Sequence, residues 1–155
     1  MKAKNTNGTI TTYPSVPKSF KNIINFHLLS DAELRSHGFF DVHTPDYNSN
    51  TQELGDIEWD SANSRFTYPV VDKTWSQTLA EMKEQKIANL KAMYNNELSK
   101  TDWMVVREAE GGTAVPSETA TERTNLRAAC ATKESEINAL TTKAAVADYS
   151  MPSFI

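Results

Sequence analysis

The chain has a single cysteine among its 155 residues, only five glycines, three scattered histidines, and no apolar run longer than a few residues. One cysteine, Cys130, cannot close an internal disulfide, which fits synthesis in a reducing cytoplasm. The short apolar runs leave no candidate membrane span. The opening "MKAKNTNGTI" carries charge with no apolar segment behind it, so no signal peptide is expected either. A surplus of positive charge is also missing. Sixteen Lys and Arg stand against 20 Asp and Glu, a formal net charge of -4. Proteins that grip a phosphate backbone usually cluster a Lys/Arg excess, so nucleic acid is not an expected partner.

Signatures of chemistry are absent as well. His27, His37 and His43 have neither zinc-ligand spacing nor cysteine companions, and no metal is expected. No Gly-x-Ser-x-Gly elbow occurs, and Gly111-Gly112 lacks the Lys and Ser/Thr of a phosphate loop, so no catalytic residue or cofactor is assigned. Glu53, Asp56, Glu58 and Asp60 lack calcium-loop spacing, and their alternation reads as the wet face of a hairpin. The expectation is a protein that acts by contact and not by catalysis.

What is present divides by texture near Lys73. Before it, Pro, Asn, Asp, aromatic and β-branched residues mix in short runs; after it, Ala, Glu, Lys, Leu and Met dominate. This predicts an α+β chain: a small hairpin-containing unit over residues 1–73, an antiparallel helical hairpin over 74–148, and a tail over 149–155. The first twelve residues are polar enough to read as a mobile arm.

In "HLLSDAELRSHGF", Ser30 and Glu33 form a capping box and Gly38 a left-handed stop, which predicts a short helix packed through Leu28, Leu29 and Leu34. "GDIEWDSANSRFTYPVV" sets Ile57 and Trp59 against Phe66, Tyr68 and Val70 across the polar turn 61–64, a hairpin with one apolar face. Pro69, without a donor, should end its strand or lie at an edge.

The back half opens with a Thr74/Gln77 capping box ahead of "LAEMKEQKIANLKAMYNNEL", whose Leu79, Met82, Ile87, Leu90, Met93, Tyr94 and Leu98 form one apolar stripe. A second helix begins near Pro116, with a thin stripe of Leu126, Cys130, Ile137 and Leu140. So sparse a stripe must lean on the first helix or on another chain. Between them, Thr101 or Asp102 can cap a helical turn and Gly111-Gly112 can reverse the chain. Trp103 then has two roles open to it: a buried clip over the Leu98 end of the stripe, or a side chain that faces a partner.

"LSKTDWMVVREAEGGTAVP" followed by "ERTNLRAA" resembles the C-terminal module of bacteriophage tail assembly chaperones and tail-fibre assembly proteins. In that module a Leu, Ser/Thr-Asp-Trp, an Arg, a Gly-rich turn, a Pro and Arg-x-x-Leu-Arg follow in order. Here those positions are Leu98, Thr101, Asp102, Trp103, Arg107, Gly111, Pro116, Arg123, Leu126 and Arg127, with Glu122 where an aromatic often precedes the arginine. The match covers about a third of the chain. The resemblance implies a tail or tail-fibre protein, made in the host cytoplasm, that binds a fibre or baseplate partner within an oligomeric assembly and stays in the virion tail. The alternative it carries is a transient chaperone absent from the finished particle. Partner contacts are expected from Trp103, Arg107, Arg123 and Arg127. The ending "YSMPSFI" adds Tyr149, Phe154 and Ile155, apolar groups suited to a plug in a neighbour's groove.

Overall fold

Asn7 and Gly8 both adopt left-handed backbone, with φ of 52° and 89°. That is the requirement of a two-residue hairpin turn between right-twisted strands. They join β1 (Lys2–Thr6) to β2 (Thr9–Tyr13) in antiparallel register from Lys2↔Tyr13 to Thr6↔Thr9. The computed structural model describes residues 1–154 of this α+β chain, which forms two compact units, Met1–Lys73 and Thr74–Ile155. The hairpin corrects the expectation of a mobile N-terminal arm. β1 is paired on both sides, and Ala3 is fully buried, because Asn-Gly turn chemistry and neighbouring strands outweigh the polarity of the segment.

In the first unit, β3 (Ser19–Phe20) and β4 (Ile23–Ile24) form a minor ribbon. A single 3-10 turn, Phe26–Leu28, then buries Phe26. Ser30 caps α1 (Asp31–Ser36) as the sequence predicts: its hydroxyl accepts from the Glu33 backbone N–H, and the Glu33 carboxylate accepts from that of Ser30. Gly38 follows with φ of 85°. Leu34 is buried and Leu29 packs against it, whereas Leu28 is 72% exposed and not a packing residue. The 3-10 turn points Phe26 inward in its place. Phe26, Leu34 and Phe39 make the core, with Tyr13 and Phe20 against them and the Phe26–Phe39 and Phe20–Phe39 ring centroids each 5.0 Å apart.

β5 (Phe40–His43) pairs antiparallel with β1. After β6 (Gln52–Leu54) come β7 (Glu58–Asp60) and β8 (Arg65–Thr67), the expected hairpin with Trp59 opposite Phe66. β8 lies parallel to β5, completing the sheet order β2-β1-β5-β8-β7. Val70 leaves this hairpin: Pro69 ends the strand, and β9 (Val70–Asp72) pairs with β6 instead.

The second unit starts its long helix, α2 (Leu79–Ser99), from a capping box of Thr78 with Glu81 and not Thr74 with Gln77. Both windows have the right spacing. Glu81 adds a full negative charge at the positive end of the helix, which glutamine cannot, and its bonds to Thr78 hold its carboxyl below the usual range. α3 (Asp102–Ala109) and the turn at Gly111, φ of 81°, lead to α4 (Ser117–Ala139). α4 runs antiparallel to α2: Lys83 Nζ donates to the Asn138 carbonyl at 2.8 Å, Lys91 pairs with Glu134 at 2.7 Å, and Arg123 reaches the Leu98 carbonyl at 2.6 Å. Leu90, Tyr94 and Ile137 form the buried seam, flanked by Ile87, Leu126 and Cys130. A last helix, α5 (Lys143–Asp148), capped by Thr142, buries Val146 and is an element the sequence reading does not separate from the hairpin.

Candidate interaction surface

α3 carries Asp-Trp-Met-Val-Val-Arg-Glu-Ala, and none of its residues is buried. Trp103 is 56% exposed, Val106 54% and Val105 41%. A helix of eight residues is too short to stand on propensity alone, and it spends its largest apolar groups on solvent. Trp103 is therefore not the clip over the Leu98 stripe. The Arg107 guanidinium lies 5.0 Å from its ring centroid, a cation–π contact that holds the indole against the helix surface. Arg107 also donates from Nε to the Thr113 carbonyl at 3.0 Å, so it braces the glycine turn and the tryptophan together.

Arg123 has a different position from the one expected of a partner contact. It is 7% exposed, and its guanidinium donates to the Leu98 carbonyl and the Thr101 hydroxyl, each at 2.6 Å, and to Asp102 Oδ1 at 2.7 Å. One side chain adds a charge-assisted bond to a carbonyl at the end of α2, which also accepts from the Thr101 N–H, and anchors the start of α3. Its donors are engaged within its own unit, which corrects its assignment as a partner-binding group. Arg127, one turn on, is exposed and lines a surface cleft of about 300 Å³ with Lys91, Tyr94, Leu98, Cys130 and Glu134.

The tail is also corrected. Tyr149, Met151 and Phe154 pack against the Leu90/Tyr94/Ile137 seam of the same chain, with the Phe154 ring 5.0 Å from Tyr94 in an edge-on contact. The Tyr149 hydroxyl donates to Glu136 at 2.6 Å. Burial and then this bond raise its pKa above the ordinary 10.0. The plug sits in its own groove because α4 supplies too few large apolar groups to cover α2. Ile155 lies outside the described residues. Beside the tail a cleft of about 400 Å³ remains, lined by Tyr94, Glu122, Asn125, Leu126, Ala129 and Phe154.

Cys130 is free and half-buried, and burial first, then Glu134, pushes its thiol above the usual pKa, away from a reactive thiolate. Among the described residues, no cluster of three or more His, Cys, Asp or Glu could hold a metal ion, and no helix is long and apolar enough to cross a membrane. Comparison with protein-family models, curated proteins and solved structures finds no match.

Two features of the surface escape the sequence reading. Val105 and Val106 join Trp103 in the exposed face, for which the "MVV" run inside a short helix is the available signal. In the first unit Phe40, Trp59 and Phe66 form an edge-on aromatic group, with Trp59 centroids 4.7 Å and 5.0 Å from the other two rings and its own ring 42% exposed.

Proposed function

We propose that this chain is a bacteriophage tail or tail-fibre protein that works by contact, docking on a fibre or baseplate partner and remaining in the particle. The observation that carries this reading is the exposed Trp103–Val105–Val106 face on a helix with no buried residue. Exposed tryptophan beside arginine is the composition of an interface anchor, since Trp and Arg are enriched among residues that dominate binding energy. The ordered string from Leu98 to Arg127 supports the same reading through its resemblance to tail-fibre assembly modules. The Arg123 bonds keep α3 fixed to both long helices, so the face is presented on a rigid element, which lowers the ordering cost of docking.

Mass spectrometry of purified particles tests it. Peptides from this chain in stoichiometric amount with tail proteins are the expected result. Recovery only with unassembled fibre protein would replace the structural role by the transient chaperone. Absence from both overturns the proposal.

A further inference from the structure

The two edges of the five-stranded sheet are unlike. β7, at one end of the order, carries Glu58 and Asp60. β2, at the other, reads Thr-Ile-Thr-Thr-Tyr and lies in the longest stretch of the chain without a charged side chain, Asn5 to Pro17. Free edges are ordinarily guarded by charge, proline or a bulge. Between Thr9 and Tyr13 there is neither charge nor proline, and Thr11 and Thr12 are exposed. The alternation of the hairpin says which groups face outward. The Asn7-Gly8 turn makes Thr6 and Thr9 a mutually bonded pair, so Thr9, Thr11 and Tyr13 direct their N–H and C=O groups to β1. The far side of β1 has the matching phase: Val42 donates to the Met1 carbonyl at 3.2 Å, so the odd-numbered residues there face β5. The N–H and C=O groups of Ile10 and Thr12 therefore point away from the sheet, and among the described residues nothing bonds them. The turn at Gly8 ends this edge on one side, and Pro14, which has no N–H, ends it on the other.

We infer that β2 pairs with β2 of a second copy of this chain, antiparallel about a two-fold axis, with Ile10 opposite Thr12 and Thr11 opposite Thr11. In that register the outward N–H and C=O groups of Ile10 in each copy meet those of Thr12 in the other, and none is left over. Slipping the register toward the turn sets Thr12 against Gly8, whose backbone is left-handed. Slipping it the other way sets Ile10 against Pro14 and loses donors. The edge is thus self-complementary in one register. Charge separates it from the opposite edge, since like charges directly across a strand pair are destabilising. β7 paired with itself about Trp59 would set Glu58 against Asp60, whereas β2 sets threonine against threonine, a favourable cross-strand pair. Each copy has one edge fit for its own kind, so the contact closes as a dimer and does not grow into a filament.

Sedimentation equilibrium of the full chain, taken up to about 1 mM because a short strand edge makes a small interface, is expected to show a monomer–dimer equilibrium. Thr12→Pro removes an outward N–H and leaves the bonds to β1 in place, and it should weaken the dimer at least about tenfold. Thr11→Lys and Thr11→Glu each set like charges face to face and should be monomeric alone. Mixed, they should form a heterodimer, because the same position then brings opposite charges together. Near-ultraviolet circular dichroism of Trp59 checks that each variant keeps the first unit folded. The proline variant and the charged pair probe the same edge independently, so misfolding of one leaves the other to decide. A chain that stays monomeric over the whole range overturns the inference. So does a dimer that tolerates Thr12→Pro, a dimer that Trp103→Ala abolishes, or a mixture of the charged variants that fails to associate. The pairing belongs to the first unit and the face of α3 to the second, so loss of the dimer would leave the tail role standing.

Discussion

The Arg123 guanidinium lies 2.6 Å from the carbonyl oxygen of Leu98, which is 25 residues earlier in the chain. The bond closes the helical unit at one end. It joins the last turn of α2, the first turn of α3 and the first turns of α4 through a single side chain that is 7% exposed. Substitution of Arg123 by Ala should therefore destabilise the second unit by about 2–4 kcal/mol, since its charge-assisted bonds to Leu98, Thr101 and Asp102 are all lost and a buried side chain is removed. Arg123→Lys should recover less than half, because one ammonium cannot match the fork that meets three acceptors. Urea unfolding followed by helical circular dichroism measures both, and a cost below about 1 kcal/mol for the alanine variant would show that the clamp is dispensable.

Trp103 makes the opposite case. Its exposure predicts that Trp103→Ala changes stability by less than about 1 kcal/mol, whereas Leu90→Ala, at a fully buried position in the seam, should cost about 2–5 kcal/mol. Thermal melts of the two variants side by side check the contrast. A large loss in Trp103→Ala would mean that the indole is the buried clip suggested by the sequence.

These two residues mark where the sequence is legible and where it is not. The Ser30/Glu33 box and the pairing of Trp59 with Phe66 are local: spacing and turn residues specify them, and the structure has both. The Asn7-Gly8 turn is local too, and its signal is present, but the polarity of "MKAKNTNGTI" masks it until β5 is there to pair with β1. Thr74 and Thr78 each head a box with correct spacing, so the choice between them rests on the charge of Glu81 at the helix end. The fate of Arg123 is not local at all. An arginine on a polar helix looks solvated until the end of α2 brings it a carbonyl. Trp103 is illegible for a related reason: eight residues give too little periodicity to say which side faces inward.

The tail should behave as part of the second unit. Deleting Tyr149 and everything after it removes three half-buried side chains from the Leu90/Tyr94/Ile137 seam, for an expected loss of about 2–4 kcal/mol. Tyr149→Phe should give a smaller loss with a characteristic pH dependence. In the folded chain the phenol is raised above 10.0, so its contribution is full below that value and fades as pH rises through the folded pKa. Glu136, lowered below 4.5 by Lys133 and then by Tyr149, contributes above 4.5, and its share fades as pH falls through the folded value. Melting temperatures across pH for the native chain and Tyr149→Phe should converge at the alkaline end. A truncated chain as stable as the native one would mean that the tail is idle.

In the first unit the corresponding test is at acid pH. Lys2 is largely buried, and its ammonium lies 2.6 Å from Asp31 and 2.8 Å from Asp41, with Arg35 3.3 Å from the other Asp41 oxygen. The Lys2 hydrogen bond, opposed by partial burial and reinforced by Arg35, holds the Asp41 carboxyl below its ordinary 3.8. A depressed carboxylate stabilises the fold above its unfolded pKa and loses that contribution as pH falls through the folded one. For Lys2 burial works against the charge, but the bonds to Asp31 and Asp41 outweigh it and raise the ammonium above 10.5, so its contribution is present below 10.5 and fades at higher pH. The pair therefore spans the whole neutral range and fails at both extremes. Asp41→Asn should leave the unit less stable at neutral pH and flatten the decline below about pH 4, because the titrating group is gone. Lys2→Met should flatten it as well, since it removes the bond that chiefly depresses the Asp41 carboxyl, and both carboxylates stand partly in water. Near-ultraviolet circular dichroism of the Trp59 group, followed through acid titration of the full chain, reads this unit. An unchanged acid slope in both variants would show that neither bond to Lys2 contributes to folding.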